Sequence, residues 1–337
     1  MKIAFTSCAN IIQYSNQFWW KDIETLDPDY LFLLGDNIYM DIPKRKGKLR
    51  ELSADEYENE MRIMYDKQFQ EVHFASLINK MFAKNGLYAI WDDHDFLWND
   101  ALGEGKVTAL DREKMVRSRN IFHEYFRNCS TNGRHLYYYL ELGQCQVLFL
   151  DNRTHAQVKG PNSKLLGEVQ FEYIQKSLMP DKEFTIICGG LTLTESMVSK
   201  LRGLADNWLD YPRDLVMLSD MLSNFKNVMF LGGDIHRNGF QSPMLLKELL
   251  DIVKPNWLTT ERWNNLKTPP QFISSGIAID RPDVVRNWAL LNFDKNGVKI
   301  SFNKFDPNST VSTKLDAETT KLANQWLIEN HYYVPIA

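Results

Sequence analysis

The feature that most constrains the fold is a repeated pattern in which a short apolar run ends directly in glycine or in polar residues. Runs of this kind lie at 2–8, 29–36, 86–91, 182–190 and 227–238. Short apolar runs bounded by turn residues are typical of buried strands. Because segments with helical spacing stand between them, the alternation predicts a layered α/β fold. In such folds the functional sites gather where the strands end.

Local patterns refine this prediction. Ser53 stands three residues before Glu56 at the start of a helically spaced segment, which is a capping-box pattern and predicts a helix there. The segment 134–153 predicts two paired strands. Near the C-terminal end, two alternating runs joined by Asp-Lys-Asn-Gly predict a hairpin that turns at Asn296 and Gly297.

The domain organisation follows from these elements. No internal repeat, low-complexity tract or long linker divides the chain, so we expect one catalytic domain over residues 1–337. The segment at about 241–270 has no clean period, and we expect a cap or insertion there. A hairpin and a helix are expected at about 286–330.

Composition and charge exclude several classes of protein. The chain has 337 residues, 44% of them hydrophobic, and a formal net charge of -4, with basic residues scattered rather than clustered. We therefore expect no nucleic-acid partner. No apolar run is long enough to span a membrane and no signal peptide is evident, so the sequence as written predicts a cytoplasmic protein, or an exported one if a leader has been trimmed. The four cysteines predict no disulfide framework.

The stretch "LYAIWDDHDFLWND" at 87–100 is the most specific chemical signal. Like charges this close raise one another's pKa unless an opposite charge intervenes. A solvated acidic loop is the alternative, but Trp91 and Trp98 indicate that the turn is partly enclosed. A bound cation would explain the clustering.

Other polar groups also follow apolar runs. Cys8 alone is typical of a buried strand, Asp36 of a turn, and Asp151 with Arg153 of an exposed salt bridge. The sequence "GGDIHR" is more informative, because Asp234 and His236 would place an oxygen and an imidazole nitrogen on one side of an extended backbone. That spacing favours a metal site.

Taken in order, "TSCAN", "LGDNIYMD", "IWDDHDFLWND", "LDNRT", "LGEVQFEYIQ", "FLGGDIHRN" and "QFISSGIA" resemble the alkaline phosphatase D (PhoD-like) metallophosphatases. That family is related to the calcineurin-like and purple acid phosphatases, and the resemblance runs from residue 4 to about residue 303. It implies a four-layer αββα sandwich of two mixed β-sheets flanked by helices. It also implies a metal-dependent phosphoric ester hydrolase.

The resemblance further implies roles for individual residues. The implied metal ligands are Cys8, Asn10, Asp36, Tyr39, Asp93, Asp234 and His236. Asp36 would bridge two ions and Tyr39 would bind iron as a phenolate. His94 would lie beside the scissile phosphate and Arg153 near it. Further metal or phosphate contacts are expected from Asp92, Asn99 and Asp100.

The metals themselves follow partly from ligand type. Cys8, Tyr39 and His236 suit a transition ion, whereas an all-oxygen set suits calcium, magnesium or manganese. The resemblance implies Fe3+ and Ca2+, with Mn2+, Mg2+ and Zn2+ as alternatives. Two cations about 3.5–4 Å apart would hold a phosphate and activate a water for in-line attack.

We expect two side chains to act directly on the substrate. We expect Asp92 and Asp95 to raise the pKa of His94, which would then protonate the leaving oxygen. Arg153 would hold a phosphate oxygen. The substrate would be a small-molecule phosphomonoester or phosphodiester, and the sequence does not choose between them or indicate an oligomeric state.

Other classes of function compete with this hypothesis. The main alternative is a non-catalytic metal-binding protein on the same scaffold, against which His94 and Arg153 argue. A glycosidase with two clustered carboxylates would leave Cys8, Tyr39 and the Asp-x-His unexplained. A dinucleotide-binding dehydrogenase would need a glycine-rich turn that "LGGDIH" does not supply.

Overall fold

A computed structural model describes residues 1–41, 48–131, 134–194, 206–279, 286–295, 297–305 and 313–332. In chain order its strands are β1 (Lys2–Thr6), β2 (Tyr30–Leu34), β3 (Leu87–Ile90), β4 (Tyr138–Leu142), β5 (Cys145–Phe149), β6 (Phe184–Cys188), β7 (Val228–Gly232), β8 (Gly239–Gln241), β9 (Gln271–Ile273), β10 (Asn287–Asp294), β11 (Gly297–Phe305) and β12 (Thr313–Leu315).

The helices are α1 (Trp20–Thr25), α2 (Lys48–Glu51), α3 (Ala54–Gln70), α4 (Val72–Ala83), α5 (Asp93–Phe96), α6 (Ala109–Tyr125), α7 (Glu168–Ser177), α8 (Pro212–Leu222), α9 (Leu246–Leu249), α10 (Thr260–Asn265) and α11 (Ala317–Glu329). A 3-10 turn spans Trp208–Asp210.

The described strands form two sheets of six. The first has the order β12-β11-β10-β1-β2-β3, and the second has the order β4-β5-β6-β7-β9-β8. In the first sheet β1, β2 and β3 are parallel, and β10, β11 and β12 add antiparallel neighbours. In the second, β5, β6, β7 and β9 are parallel between antiparallel edge strands. Both sheets are therefore mixed, as expected.

The two sheets pack face to face through alternate side chains. The rings of Phe32 on β2 and Phe149 on β5 meet with centroids 5.0 Å apart. On β5, Val147 joins this inter-sheet core, while Leu148 faces the opposite way into a second apolar cluster with Ile174 of α7. Successive side chains of a strand point to opposite faces, so a fully apolar strand must be covered on both sides. The predicted four-layer αββα arrangement is confirmed.

The helices begin where local sequence caps them. Ser53 Oγ accepts from Glu56 N at 3.3 Å, and the Glu56 carboxylate accepts from Ser53 N at 2.9 Å, so the predicted capping box is present. The helical pattern continues further than predicted, because Glu71 caps a second helix by accepting from Phe74 N at 2.7 Å. The turn residue Asn296 of the predicted hairpin lies outside the described residues, whereas β10 and β11 pair in full register around it.

The segment predicted as a cap carries α9 and α10. Its apolar residues Leu246 and Trp263 share a cluster with Phe230 of β7 and Leu215 of α8. We propose that these elements belong to one domain with the two sheets. Within the described part of the chain, no helix has both the length and the apolar character needed to cross a membrane.

The loops that follow the parallel strands meet at one edge. Gly276, after β9, donates to Ser7 O, after β1, at 3.0 Å, which joins the two sheets. Cys8 N donates to Gly35 O at 3.2 Å, and Gly233 N donates to Gly190 O at 3.1 Å. The loops after β1, β2, β6, β7 and β9 are thus in direct contact. This edge contains the candidate site.

Candidate metal centre

The backbone at this edge is held in an uncommon conformation. Among non-glycine residues, Cys8, Asp36, Asp100, Asp234 and His236 have φ values of 64°, 53°, 60°, 66° and 55°. A left-handed conformation at a non-glycine residue costs of order 1–3 kcal/mol and tends to concentrate at functional sites. Here it turns side chains from successive loops toward one another.

Glycines let the loops approach closely. Gly35 has φ 94°, and a Cβ built on it would lie 2.5 Å from Asp92 Cβ. A Cβ on Gly190 would lie 2.9 Å from Asp92 Cγ. No larger residue fits either position without moving the acidic turn.

Among the described residues, three sets of side chains place potential ligand atoms within 4.8 Å of one another, and Asp36 belongs to all three. The sets are Cys8 with Asp36 and His236, Asp36 with Asp93 and His94, and Asp36 with Asp92 and Asp234. A carboxylate shared between neighbouring ligand sets has the geometry of a bridge between two ions.

The first set is enclosed around Asp36 Oδ2. Tyr39 Oη donates to this oxygen at 2.8 Å and lies 3.3 Å from His236 Nε2. Cys8 Sγ lies 3.4 Å from the same oxygen and 3.2 Å from Ser275 Oγ. Burial, followed by the charge of Asp36, raises the pKa of the Cys8 thiol and of the Tyr39 phenol. A thiol and phenol held neutral in this way deprotonate readily only when a cation is bound.

The acidic residues fit a cation by two criteria. Asp92 Oδ2 and Asp93 Oδ1 are buried, and no described residue donates a hydrogen bond to either oxygen. Burial raises the pKa of Asp36 and Asp234, and the neighbouring carboxylates raise both further. Buried polar atoms are rarely left unsatisfied, and buried like charges need compensation. The residues present therefore fit bound metal ions.

His94 is held by a carboxylate that sequence reasoning missed. Its Nδ1 lies 2.6 Å from Asp41 Oδ1, and both side chains are buried. Burial alone would lower the pKa of His94, but Asp93, Asp36 and Asp41 outweigh it and raise the value to about 10. The predicted direction was correct, but the predicted causes, Asp92 and Asp95, are not among the largest.

Asp95 stabilises the acidic turn itself. Its carboxylate accepts hydrogen bonds from Asn37 N at 3.0 Å and from Asp92 N at 2.5 Å, so it caps the short helix α5. Burial raises the pKa of Asp95 to about 7, although these hydrogen bonds oppose the shift. Asp95 belongs to none of the ligand sets, and its hydrogen bonds position the turn.

Arg153 is placed differently from the expectation. It is 1% exposed and donates from Nε to Asp92 and from Nη1 to Asp206, the latter at 3.1 Å. The guanidinium is thus occupied by carboxylates and acts through them. Asp151 is also not its salt-bridge partner, because Asp151 Oδ1 instead accepts from the backbone N of Arg153 and from Trp91 Nε1.

Three predicted contacts lie at the margin of the site. The side-chain oxygen of Asn10 accepts from Ile12 N and Gln13 N at 3.0 and 3.2 Å, which commits it to a local turn rather than to a ligand set. The backbone N of Asp100 donates to Asp93 Oδ2, and that of Asn99 donates to Asp41 Oδ2 at 3.0 Å. Their main chains therefore orient the acidic residues.

The residues that sequence reasoning missed differ in whether the sequence contained a signal for them. Asp41 follows Asp36 within the quoted "LGDNIYMD", so the motif contained the signal. Asp206 follows no apolar run, and only the tertiary structure brings it to Arg153, 53 positions away in sequence. Ser275 lies in the quoted "QFISSGIA". Its Oγ forms a hydrogen bond with Cys8 Sγ, in which either atom can be the donor, and accepts one from His236 N at 3.0 Å.

The fold and site together define an α/β protein with a carboxylate-rich candidate metal centre at the strand ends. The family model of the PhoD-like phosphatases matches residues 3–244. The chain therefore belongs to the PhoD-like phosphatase family. No curated protein sequence matches it.

Solved structures with a similar arrangement share little sequence with this chain. GAP50, the anchor in the inner membrane complex of Plasmodium, has 10% identity and a TM-score of 0.46, covering 100% of this chain and 97% of that chain. A predicted phosphoesterase from Streptococcus pneumoniae has 11% identity and a TM-score of 0.33, covering 93% and 95%. TT1561 of Thermus thermophilus has 10% identity and a TM-score of 0.36, covering 86% and 93%.

Proposed function

We propose that the protein is a metal-dependent phosphoric ester hydrolase that acts on a small-molecule phosphomonoester or phosphodiester. The observation that carries this proposal is Asp36, whose carboxylate belongs to three overlapping ligand sets beside the buried His94–Asp41 pair. Family membership supports the reaction class. Two bound ions would supply charge to polarise the ester and lower the pKa of a water molecule for in-line attack.

The donor types support unlike ions. Cys8, Tyr39 and His236 surround one oxygen of Asp36 with sulfur, phenol and imidazole donors, a combination that suits Fe3+. Asp92, Asp93 and Asp234 offer carboxylate oxygens, which suit Ca2+, with Mn2+ or Mg2+ as alternatives. We assign Fe3+ to the first group and Ca2+ to the second.

Residues of the chain would then supply the proton for the leaving oxygen. Asp41 holds Nδ1 of His94, which leaves Nε2 as the ring nitrogen that serves the leaving oxygen. The Asp41 carboxylate at Nδ1 favours the protonated ring, as a general acid requires. Arg153 holds Asp92 in place and contributes positive charge near the acidic turn.

The test pairs metal analysis with activity. Protein purified without added metal is analysed for its elements, then assayed with p-nitrophenyl phosphate and bis(p-nitrophenyl) phosphate before and after chelation. We expect chelation to abolish hydrolysis of at least one ester and metal addition to restore it. Full metal content with hydrolysis of neither ester would identify a non-catalytic metal protein instead.

A matched pair of variants sharpens this test. Asp36→Asn removes the shared charge, so metal content and hydrolysis should fall together. Asp220→Asn is the control, because Asp220 pairs with Arg262 on α10 and contacts none of the ligand sets. Normal metal content and turnover in Asp36→Asn would contradict the bridging role.

A further inference from the structure

A chain of alternating charges connects the acidic turn to the protein surface. Arg153 pairs with Asp92, and its other side pairs with Asp206, which in turn pairs with Lys159. Lys159 also lies 3.2 Å from Asp210. Asp206 is 4% exposed, whereas the Lys159 side chain is 44% exposed. The buried carboxylate thus lies between one fully enclosed cation and one at the surface.

The enclosed guanidinium needs more than one carboxylate. A buried cation is costly unless its donors are satisfied, and an arginine offers donors in a planar fork. Arg153 Nε donates to Asp92 and Nη1 donates to Asp206, while Nη2 lies 3.9 Å from Asp93 Oδ1. That last distance is beyond a hydrogen bond. Asp206 therefore holds one edge of the guanidinium on the side opposite the acidic turn.

This arrangement keeps two carboxylate oxygens available. Asp92 Oδ2 and Asp93 Oδ1 are buried oxygens that accept no hydrogen bond from any described residue. If Nη1 lost Asp206, Asp92 and Asp93 would be the described carboxylates left near the guanidinium. A guanidinium that binds both oxygens of the turn competes directly with a cation for the same ligand atoms.

We propose that Asp206 is a positioning residue that tethers Arg153, so that Asp92 and Asp93 keep oxygens free for a metal ion. The inference rests on the proposed metal-dependent function. Its effect is expected at Asp92 and Asp93, because Arg153 pairs with Asp92 and Asp206, whereas Cys8 and His236 belong to a different ligand set. Removal of the charge on Asp206 also leaves more positive potential beside the cation site, which acts in the same direction.

The experiment compares metal affinities of variants and needs no turnover. Metal-free protein is titrated with Mn2+ and, separately, with Fe3+, by calorimetry and by metal content after gel filtration. Partners that orient metal ligands typically contribute about 10–100-fold in affinity. We expect Asp206→Asn to weaken Mn2+ binding by about that factor while Fe3+ content and the melting temperature of the metal-free protein stay close to those of the unaltered chain.

Two further variants separate positioning from a general loss of structure. Lys159→Gln removes the outer cation and leaves Asp206 to Arg153 alone, so Mn2+ affinity should be equal or higher. Asp220→Asn, which breaks an unconnected Asp–Arg pair, should change nothing.

The outcomes distinguish this inference from the proposed function. Unchanged Mn2+ affinity in Asp206→Asn, with normal binding and hydrolysis by the unaltered protein, would overturn the positioning role alone. An equal loss of Mn2+ and Fe3+ together with a lower melting temperature would mean that Asp206 is merely structural. If the unaltered protein bound neither ion and hydrolysed neither ester, both proposals would fall.

Discussion

At the scale of single residues, the site depends on charges that are unfavourable without a counterion. Burial and neighbouring acids raise the pKa of Asp36, while Arg153 and His94 outweigh burial and hold the pKa of Asp93 below its usual value. The pKa values of these two neighbouring carboxyls are therefore shifted in opposite directions. Such separation is typical of sites where acids have distinct roles.

His94 provides a prediction at this scale. His94→Ala removes the proposed acid but leaves Asp36 and its other partners, so the protein should retain metal while turnover falls by roughly a hundredfold to ten-thousandfold. The loss should be greatest for esters with poor leaving groups. Rates for a series of substituted phenyl phosphates, with metal content measured in parallel, check this.

The control for that series is His73→Ala, on α4 away from the ligand sets, which should behave as the unaltered protein. An equal loss for good and poor leaving groups in His94→Ala would show that the ring does not donate the proton. Loss of metal in that variant would instead make His94 a ligand, because its ring belongs to one of the ligand sets.

Sequence predicted most residues of the site but not their pairings. Asp36 and Asp93 follow parallel strands of the first sheet, and Asp234 and His236 follow a parallel strand of the second. They lie together because the strand ends of the two packed sheets meet at one edge. Arg153 was expected to hold phosphate, yet it is enclosed by carboxylates. The partner of a long side chain depends on its burial and on loops that are distant in sequence, and local residue spacing predicts neither.

At the scale of elements, short loops and left-handed residues aim the ligands. The strands themselves are apolar, and the members of the ligand sets lie just beyond strand ends. Capping explains why the boundaries of α3 could be predicted from Ser53 and Glu56. The helix from Val72 was not anticipated, since it begins immediately after Glu71 and continues the same polar and apolar pattern.

Gly35 provides a prediction for these loops. Gly35→Ala would place a Cβ 2.5 Å from Asp92 Cβ at φ 94°, so both strain and a clash act on the acidic turn. We expect the free energy of unfolding to fall by roughly 2–4 kcal/mol, combining conformational strain with overpacking. Metal affinity should fall as well. Urea denaturation and metal titration measure the two effects.

Gly143→Ala is the matched control. Its φ is 64°, and a Cβ there would meet no atom within 4 Å, so only the conformational cost of about 1 kcal/mol is expected. If the two alanine variants were destabilised equally and both kept metal, the close approach of the loop to Asp92 would be irrelevant to the site.

At the scale of the whole molecule, folding brings buried acids together and so links stability to pH and to metal. Burial raises the pKa of Asp92 to about 6 and that of Asp95 to about 7. A group whose pKa is raised on folding contributes stability below its unfolded pKa and loses it as pH rises through the folded value. His94, with a pKa raised to about 10, adds the same sign at higher pH.

The metal-free protein should therefore become less stable as pH rises from about 4 to about 7, where Asp92 and Asp95 titrate, and further up to about pH 10 through His94. The loss is roughly 1.4 kcal/mol for each unit of raised pKa that is titrated. Added metal should restore stability at the upper end, because it binds the ionised carboxylates of the folded state. Urea unfolding across this range, with chelator and with metal, measures both effects. A flat profile in chelator would mean that the acids are not forced together.

The layered fold could be predicted because alternation of apolar strands and helices allows few arrangements. The order of strands in each sheet could not, since β9 lies between β7 and β8 and β10 lies beside β1 through long-range pairing. The pairing of Asp206 with Arg153 could not be predicted either, because it also depends on long-range contacts. Asp206 reaches Arg153 only because the second sheet carries both loops to one edge.

The central claim is that side chains from separate strand ends share a pair of positive ions through Asp36. A crystal structure of the protein grown with ferric and calcium salts, with anomalous scattering recorded at the iron edge, tests it most directly. The account predicts two ion positions with the Asp36 carboxylate between them, the iron on the side of Cys8, Tyr39 and His236. Crystals that hold one ion or none under these conditions, with the Asp36 carboxylate turned away from the site, would contradict it.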